Sequence, residues 1–156
     1  MSLDNFGIPA ILERLNIKSL NKMQLDAIET INKNPNCVLL SNTGSGKTLA
    51  FLIPLIESID TQKINQTQAL ILAPSRELVL QIDSVLKKMQ LGIKITTCYG
   101  GHKREIEENN LVEAPAIIVA TAGRMADHIR RGNVNTDNIS FLAIDEFDKI
   151  LEIDFQ

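Results

Sequence analysis

With 156 residues, 44% of them hydrophobic and 22% charged, the chain is the size of one globular domain, able to bury about 70% of the surface its unfolded form exposes. Those proportions exclude a disordered tail, a collagen-like chain and a mucin-like stalk. Sixteen Lys and Arg against nineteen Asp and Glu give a formal charge of -3, which excludes a uniformly basic nucleic-acid module and leaves any polyanion to a local patch.

Met1-Ser2, with Leu3 at its margin, reads as an expression leader, and no charged-then-apolar signal region is visible. Helical periodicity marks Ile8–Leu15 and Lys22–Ile31, followed by a first strand at Cys37–Leu40 and a helix over Lys47–Ile59. A polar stretch, Asp60–Gln68, reads as a surface loop. Strands at Ala69–Ala73, Ile93–Tyr99, Ala116–Ala120 and Phe141–Ile144 then alternate with helices over Arg76–Met89, Lys103–Asn110 and Arg124–Arg130. Continuous rather than alternating apolar runs suit parallel strands covered on both faces, so the expected class is α/β with a mostly parallel sheet flanked by helices. None of these runs approaches the ~20 residues of a membrane span. Cys37 and Cys98 lie in strand-like runs without ligand-spaced partners and read as reduced core thiols of a cytoplasmic protein.

Behind the first expected strand stands Ser41-Asn42-Thr43-Gly44-Ser45-Gly46-Lys47-Thr48, the strand, loop and helix context of a P-loop. Glycines at 44 and 46 permit left-handed turns that aim successive backbone N–H groups at phosphate oxygens, and the helix N-terminus adds positive potential. Thr43, Gly44, Ser45, Gly46, Lys47 and Thr48 are the expected nucleotide ligands, Lys47 toward the β/γ-phosphates and the Thr48 hydroxyl toward Mg²⁺. Ser41 occupies the place of the pattern's first glycine. Asp145-Glu146-Phe147-Asp148 follows the last strand, where ligands of open α/β sheets bind. Asp145 is expected to hold Mg²⁺ through water, and Glu146 to orient or deprotonate the water attacking the γ-phosphate. Lys47, Asp145 and Glu146 form the expected catalytic set. Alone, such an acidic quartet is equally well a solvated helix start.

Taken together, these motifs resemble the N-terminal RecA-like domain of a DEAD-box ATP-dependent RNA helicase, over nearly the whole chain. Pro74-Ser75-Arg76-Glu77-Leu78 is similar to the family's Pro-Thr-Arg-Glu-Leu, Gly100-Gly101 to its double glycine, Thr121-Ala122-Gly123-Arg124 to Thr-Pro-Gly-Arg, and residues 145–148 to Asp-Glu-Ala-Asp. The resemblance implies that Gln24 reads adenine, since a carboxamide donates and accepts together. Leu3 stands where an adenine-stacking aromatic is expected, with Phe6 three residues later, and both prolines usual before Gln24 are missing. Pro74, Ser75, Arg76, Gly100, Gly101, Thr121, Gly123 and Arg124 become candidates for sequence-nonspecific contacts to an RNA backbone. Singly, Ser75 is a helix cap, the glycine motifs are turns, and Lys87-Lys88, Lys103-Arg104 and Arg130-Arg131 are solvated helix faces.

Residues 1–156 are thus read as one RecA-like ATP-binding domain. The family's Ser-Ala-Thr motif and second RecA-like domain do not appear before Gln156, so Asp148 is assigned to coupling with that absent motif. The resemblance also implies an uncovered sheet face beside the first strand. The parent is expected to couple ATP hydrolysis to RNA unwinding or remodelling, whereas this fragment binds nucleotide with negligible hydrolysis. A non-catalytic nucleotide- and RNA-binding scaffold, or a DNA helicase or translocase, is the alternative.

Overall fold

A computed structural model describes residues 6–154, so Met1-Ser2 and Leu3 lie outside the described residues. The elements run α1 (Ile8–Arg14), α2 (Lys22–Lys33), α3 (Lys47–Glu57), β1 (Ala69–Ala73), α4 (Arg76–Lys88), β2 (Ile95–Cys98), α5 (Arg104–Val112), β3 (Ile117–Thr121), α6 (Ala122–Arg130), β4 (Phe141–Ile144) and α7 (Phe147–Asp154). All four strands are parallel, in the order β2-β3-β1-β4. Apolar strand runs separated by helical segments produce this arrangement because parallel neighbours need a crossover, here a helix each time.

Strand pleating divides the core in two. Ala69, Ile71 and Ala73 of β1, with Ile117 and Val119 of β3, pack with Ile11, Leu52, Ile53, Ile82 and Leu86 from α1, α3 and α4. On the opposite face Leu70, Cys98, Ile118 and Ala120 meet Leu111 of α5 and Met125 of α6. Both clusters are nearly solvent-free, and fully burying each such aliphatic side chain is worth about 1.5–3 kcal/mol. The polar stretch after α3 is a loop as expected, pinned from inside: the buried Gln68 side chain accepts from the Asp60 N–H at 2.8 Å and donates to the carbonyls of Asp60 and Lys63 at 3.0 and 2.9 Å.

Three expectations need correction. Residues 37–40 form no strand, because no described strand lies beside them to take up their backbone hydrogen bonds; Val38 and Leu40 are 73% and 85% exposed. Cys37 is consequently exposed rather than a core thiol, whereas Cys98 is buried as expected. An additional helix, α7, follows the acidic quartet, with Asp148 in its first turn. Leu142 and Ile144, on one face of the edge strand β4, are about half exposed.

Candidate nucleotide site and the strand-end cluster

Backbone conformation shapes the loop at 41–48. Gly44 and Gly46 adopt φ of 81° and 88°, the left-handed turns that β-carbons disfavour, and Gly46 caps the N-terminus of α3. Lys47 begins that helix, and its Nζ donates to the Ser41 carbonyl at 2.8 Å. The Ser41 and Ser45 hydroxyls lie 2.6 Å apart, so three side chains draw the loop together. Thr43 and Gly44 are exposed and Thr48 is half-buried in the first turn of α3.

Helix α2 reaches this loop through two carboxamides. Asn21 caps the helix and, with Gln24, completes a reciprocal capping box: Oδ1 accepts from the Gln24 N–H and Gln24 Oε1 from the Asn21 N–H, both at 2.9 Å. Gln24 Nε2 also donates to the Gly46 carbonyl at 3.3 Å, and Asn21 Nδ2 to the Ser45 carbonyl at 3.2 Å. Gln24 is therefore buried against the loop rather than solvated, with one amide hydrogen and one carbonyl lone pair that take no partner among the described residues. A β-carbon on Gly46 would collide with that carboxamide.

The Asp145 N–H donates to the Leu72 carbonyl at 2.9 Å, extending the ladder between β1 and β4 to the strand end. Glu146 then takes a φ of 49°, a left-handed conformation costing a side-chain-bearing residue about 1–2 kcal/mol, and turns the chain into α7. Burial pushes the Asp145 carboxyl above the usual aspartate value; the neighbouring charge of Glu146 adds to this, while a backbone hydrogen bond and the charges of Lys47 and Lys149 oppose it. Asp145 thus lies within electrostatic reach of Lys47. Glu146 is bound to Lys149 Nζ at 2.8 Å. Asp148 is exposed, and among the described residues its carboxylate accepts no hydrogen bond.

A second cluster joins the remaining motifs. Ser75 caps α4 by accepting from the Leu78 N–H at 3.2 Å, which leaves Arg76 exposed at the helix start. The Arg76 guanidinium lies 5.2 Å from the ring centre of Tyr99, which stacks on His102 at 5.2 Å. Arg76 Nη1 also approaches the side-chain position of Gly101. Beneath them Glu107 of α5 is fully buried: its Oε1 accepts from the Tyr99 N–H at 2.9 Å and faces His102 Nδ1 at 3.2 Å, while its Oε2 takes Arg124 Nη1 at 3.1 Å and His128 Nε2 at 2.7 Å. Asn133 Nδ2 lies 3.1 Å from His128 Nδ1, which leaves the ring proton on the nitrogen facing Glu107. Thr121 ends β3 and Gly123 lies in the first turn of α6 immediately before Arg124, while Pro74 stands at the exit of β1.

Cys98, Glu107 and His128 have ligand-type atoms within 4.8 Å of one another. Burial first, then the Glu107 charge, pushes the Cys98 thiol up to about 12, with Arg124 opposing. A thiol held protonated beside a carboxylate whose four acceptor positions are filled describes a hydrogen-bonded core rather than a metal centre.

The structure thus brings Gln24 against the loop that carries Gly46 and Lys47, and Arg76, Gly101 and Arg124 into the second cluster, whereas sequence reading did not single out Asn21, Tyr99, His102, Glu107 and His128. The Arg124/His128 pair at i and i+4 is the trace that Glu107's partners leave in the sequence.

A parallel sheet with a glycine loop opening a helix, and carboxylates at a neighbouring strand end, defines a RecA-like domain of the P-loop class. A profile of the DEAD/DEAH box helicase family matches residues 21–156, and the chain belongs to that family. It is 34% identical over 158 residues to the ATP-dependent RNA helicase DeaD of Escherichia coli K12, covering 97% of this chain and 25% of that protein. To the ATP-dependent RNA helicase DbpA of the same strain it is 37% identical over 147 residues, covering 92% and 32%. The chain thus spans between a quarter and a third of these relatives. Among solved structures, a hypothetical ATP-dependent RNA helicase from Sulfolobus tokodaii superposes with a TM-score of 0.82 at 27% identity, over 99% of this chain and 44% of that one. A yeast DEAD-box splicing factor gives 0.81 at 30%, over 99% and 39%. No helix among the described residues is long and apolar enough to cross a membrane.

Proposed function

We propose that this chain is the ATP-binding RecA-like domain of an ATP-dependent RNA helicase, and that the longer protein couples hydrolysis to RNA unwinding or remodelling. The observation carrying this reading is the convergence of three separate segments: Gln24 bonds the Gly46 carbonyl, Lys47 begins the helix that Gly46 caps, and Asp145 feels the Lys47 charge.

In this reading the backbone N–H groups of residues 43–48 cradle the phosphates, and Lys47 Nζ exchanges the Ser41 carbonyl for phosphate oxygens. The free donor and acceptor of Gln24 pair with adenine. Thr48 and Asp145 suit Mg²⁺, hard oxygen donors for a hard cation, with Asp145 acting through water; the ion neutralises phosphate charge when bound. Glu146, released from Lys149, takes the proton of the water that attacks the γ-phosphorus as the bond to the leaving diphosphate breaks. A second RecA-like domain in the longer protein completes the site, Asp148 couples to the Ser-Ala-Thr motif, and this chain alone binds nucleotide with negligible turnover. RNA lies along Pro74, Ser75, Arg76, Gly100, Gly101, Thr121, Gly123 and Arg124, contacted through its backbone and without sequence preference. Two free cysteines are in keeping with a cytoplasmic setting.

Phosphate release by the full-length gene product, with single-stranded RNA or DNA added, tests the reading. Stimulation by RNA well above that by DNA is expected, with no measurable release from this chain alone. Equal stimulation by both would transfer the protein to the DNA translocases, and nucleotide binding without any release would make it a scaffold.

A further inference from the structure

Glu107 is the best-connected side chain in the second cluster, and the nucleotide chemistry has no use for it. It accepts from the amide of Tyr99, immediately before Gly100-Gly101, and from the guanidinium of Arg124 on a different helix, while His102 and His128 occupy its remaining acceptor positions. Tyr99 in turn carries Arg76 over its ring. One buried carboxylate thereby links Arg76, the double-glycine turn and Arg124, which come from three separate strand ends.

We infer that Glu107 is a positioning residue for polyanion binding, holding the double-glycine turn and Arg124 as one preorganised unit against an RNA backbone. The inference rests on the RNA reading of these motifs. Arg124 is suited to it: one of its five N–H groups engages Glu107, and four remain for a phosphate. Fixing one edge of the fork by a buried partner removes most of the rotamer freedom that an arginine otherwise loses on binding. Glu107→Leu would leave four donors without acceptors and endanger the fold, so the test uses Glu107→Gln, which keeps the size and one oxygen.

The parent chain, Glu107→Gln, Arg124→Ala and the double variant are titrated against a fluorescein-labelled single-stranded decauridylate at several salt concentrations. MgADP binding is measured on each. Glu107→Gln is expected to weaken RNA binding about fivefold and to make the dependence of log affinity on log salt shallower by about 0.7, the loss of one phosphate contact to a single strand. In the Arg124→Ala background it should add less than twofold, and MgADP affinity should stay within twofold throughout. Unchanged RNA affinity and salt slope, losses that add fully to those of Arg124→Ala, or a parallel fall in MgADP affinity would each overturn the positioning role. If the parent chain binds no RNA, the RNA reading falls first and this inference with it.

Discussion

Residues 41–48 and the cluster around Glu107 both hang glycine-containing turns on the edge of one sheet, yet they are held in opposite ways. Around the phosphate loop the contacts are few and half-exposed: one lysine to a carbonyl, two touching hydroxyls, and two carboxamides reaching over from α2. Among the described residues no strand pairs with the run at 37–40 that leads into it. The Glu107 cluster is assembled inside the protein, where the carboxylate and the His128 ring are both solvent-free and every acceptor position is taken. The loop proposed to receive phosphates is held mostly by side chains, with one backbone bond from the Ser45 N–H to the Asn42 carbonyl at 3.3 Å, whereas the unit proposed to position others is satisfied before any ligand arrives. Breaking the first should therefore cost ligand affinity, and breaking the second should cost stability.

The largest stability loss is expected at Glu107→Leu, which strands four donors around a buried apolar side chain. Urea unfolding should show the chain destabilised by about 3 kcal/mol or more, the usual result of removing one partner from a buried charged network. A loss below about 1 kcal/mol would mean that the cluster is no better built than the loop.

Gly46→Ala, in the loop, comes next in size. The left-handed backbone and the collision with Gln24 predict a loss of about 1–2 kcal/mol in the same assay, with nucleotide affinity falling further than stability does. Smallest, and of opposite sign, is Asp145→Asn. Because the Asp145 carboxyl holds its proton more tightly folded than unfolded, it favours the fold below the unfolded value near 3.9, and that contribution is lost as pH rises through the higher folded value. Removing the ionised carboxylate should raise the melting temperature at pH 7. The gain should vanish in acid. A melting temperature lowered at pH 7 would show that Lys47 and Lys149 outweigh the desolvation.

The contrast also explains what was legible in the sequence. The phosphate loop is specified by contiguous residue types whose backbone demands are local, so Gly44, Gly46 and Lys47 were found where the structure has them. Strands β1 and β3 were legible for a similar reason, as continuous apolar runs buried on both faces, while β2 and β4 were read from β-branched and apolar residues although one face of β4 is exposed. The run at 37–40 has that composition but no strand partner among the described residues, and composition alone cannot supply a neighbour. Glu107 stood unremarked in a polar helical stretch because its importance comes from Tyr99, Arg124 and His128, eight to twenty-one residues away in the chain. Helix α7 was anticipated only in the reading of the acidic quartet as a helix start; it begins at Phe147, inside the quartet, whose carboxylates drew the chemical reading first.

The most direct test of the nucleotide site is calorimetric titration of MgADP and MgGDP into this chain, with Gln24→Ala and Lys47→Ala alongside. Selective binding of MgADP is predicted, with selectivity lost in Gln24→Ala and affinity reduced about 30-fold in Lys47→Ala, the scale of one charge-assisted hydrogen bond. Equal affinity for both nucleotides, or binding untouched by Lys47→Ala in a folded chain, would contradict the assignment of residues 41–48 and Gln24 to an adenine nucleotide.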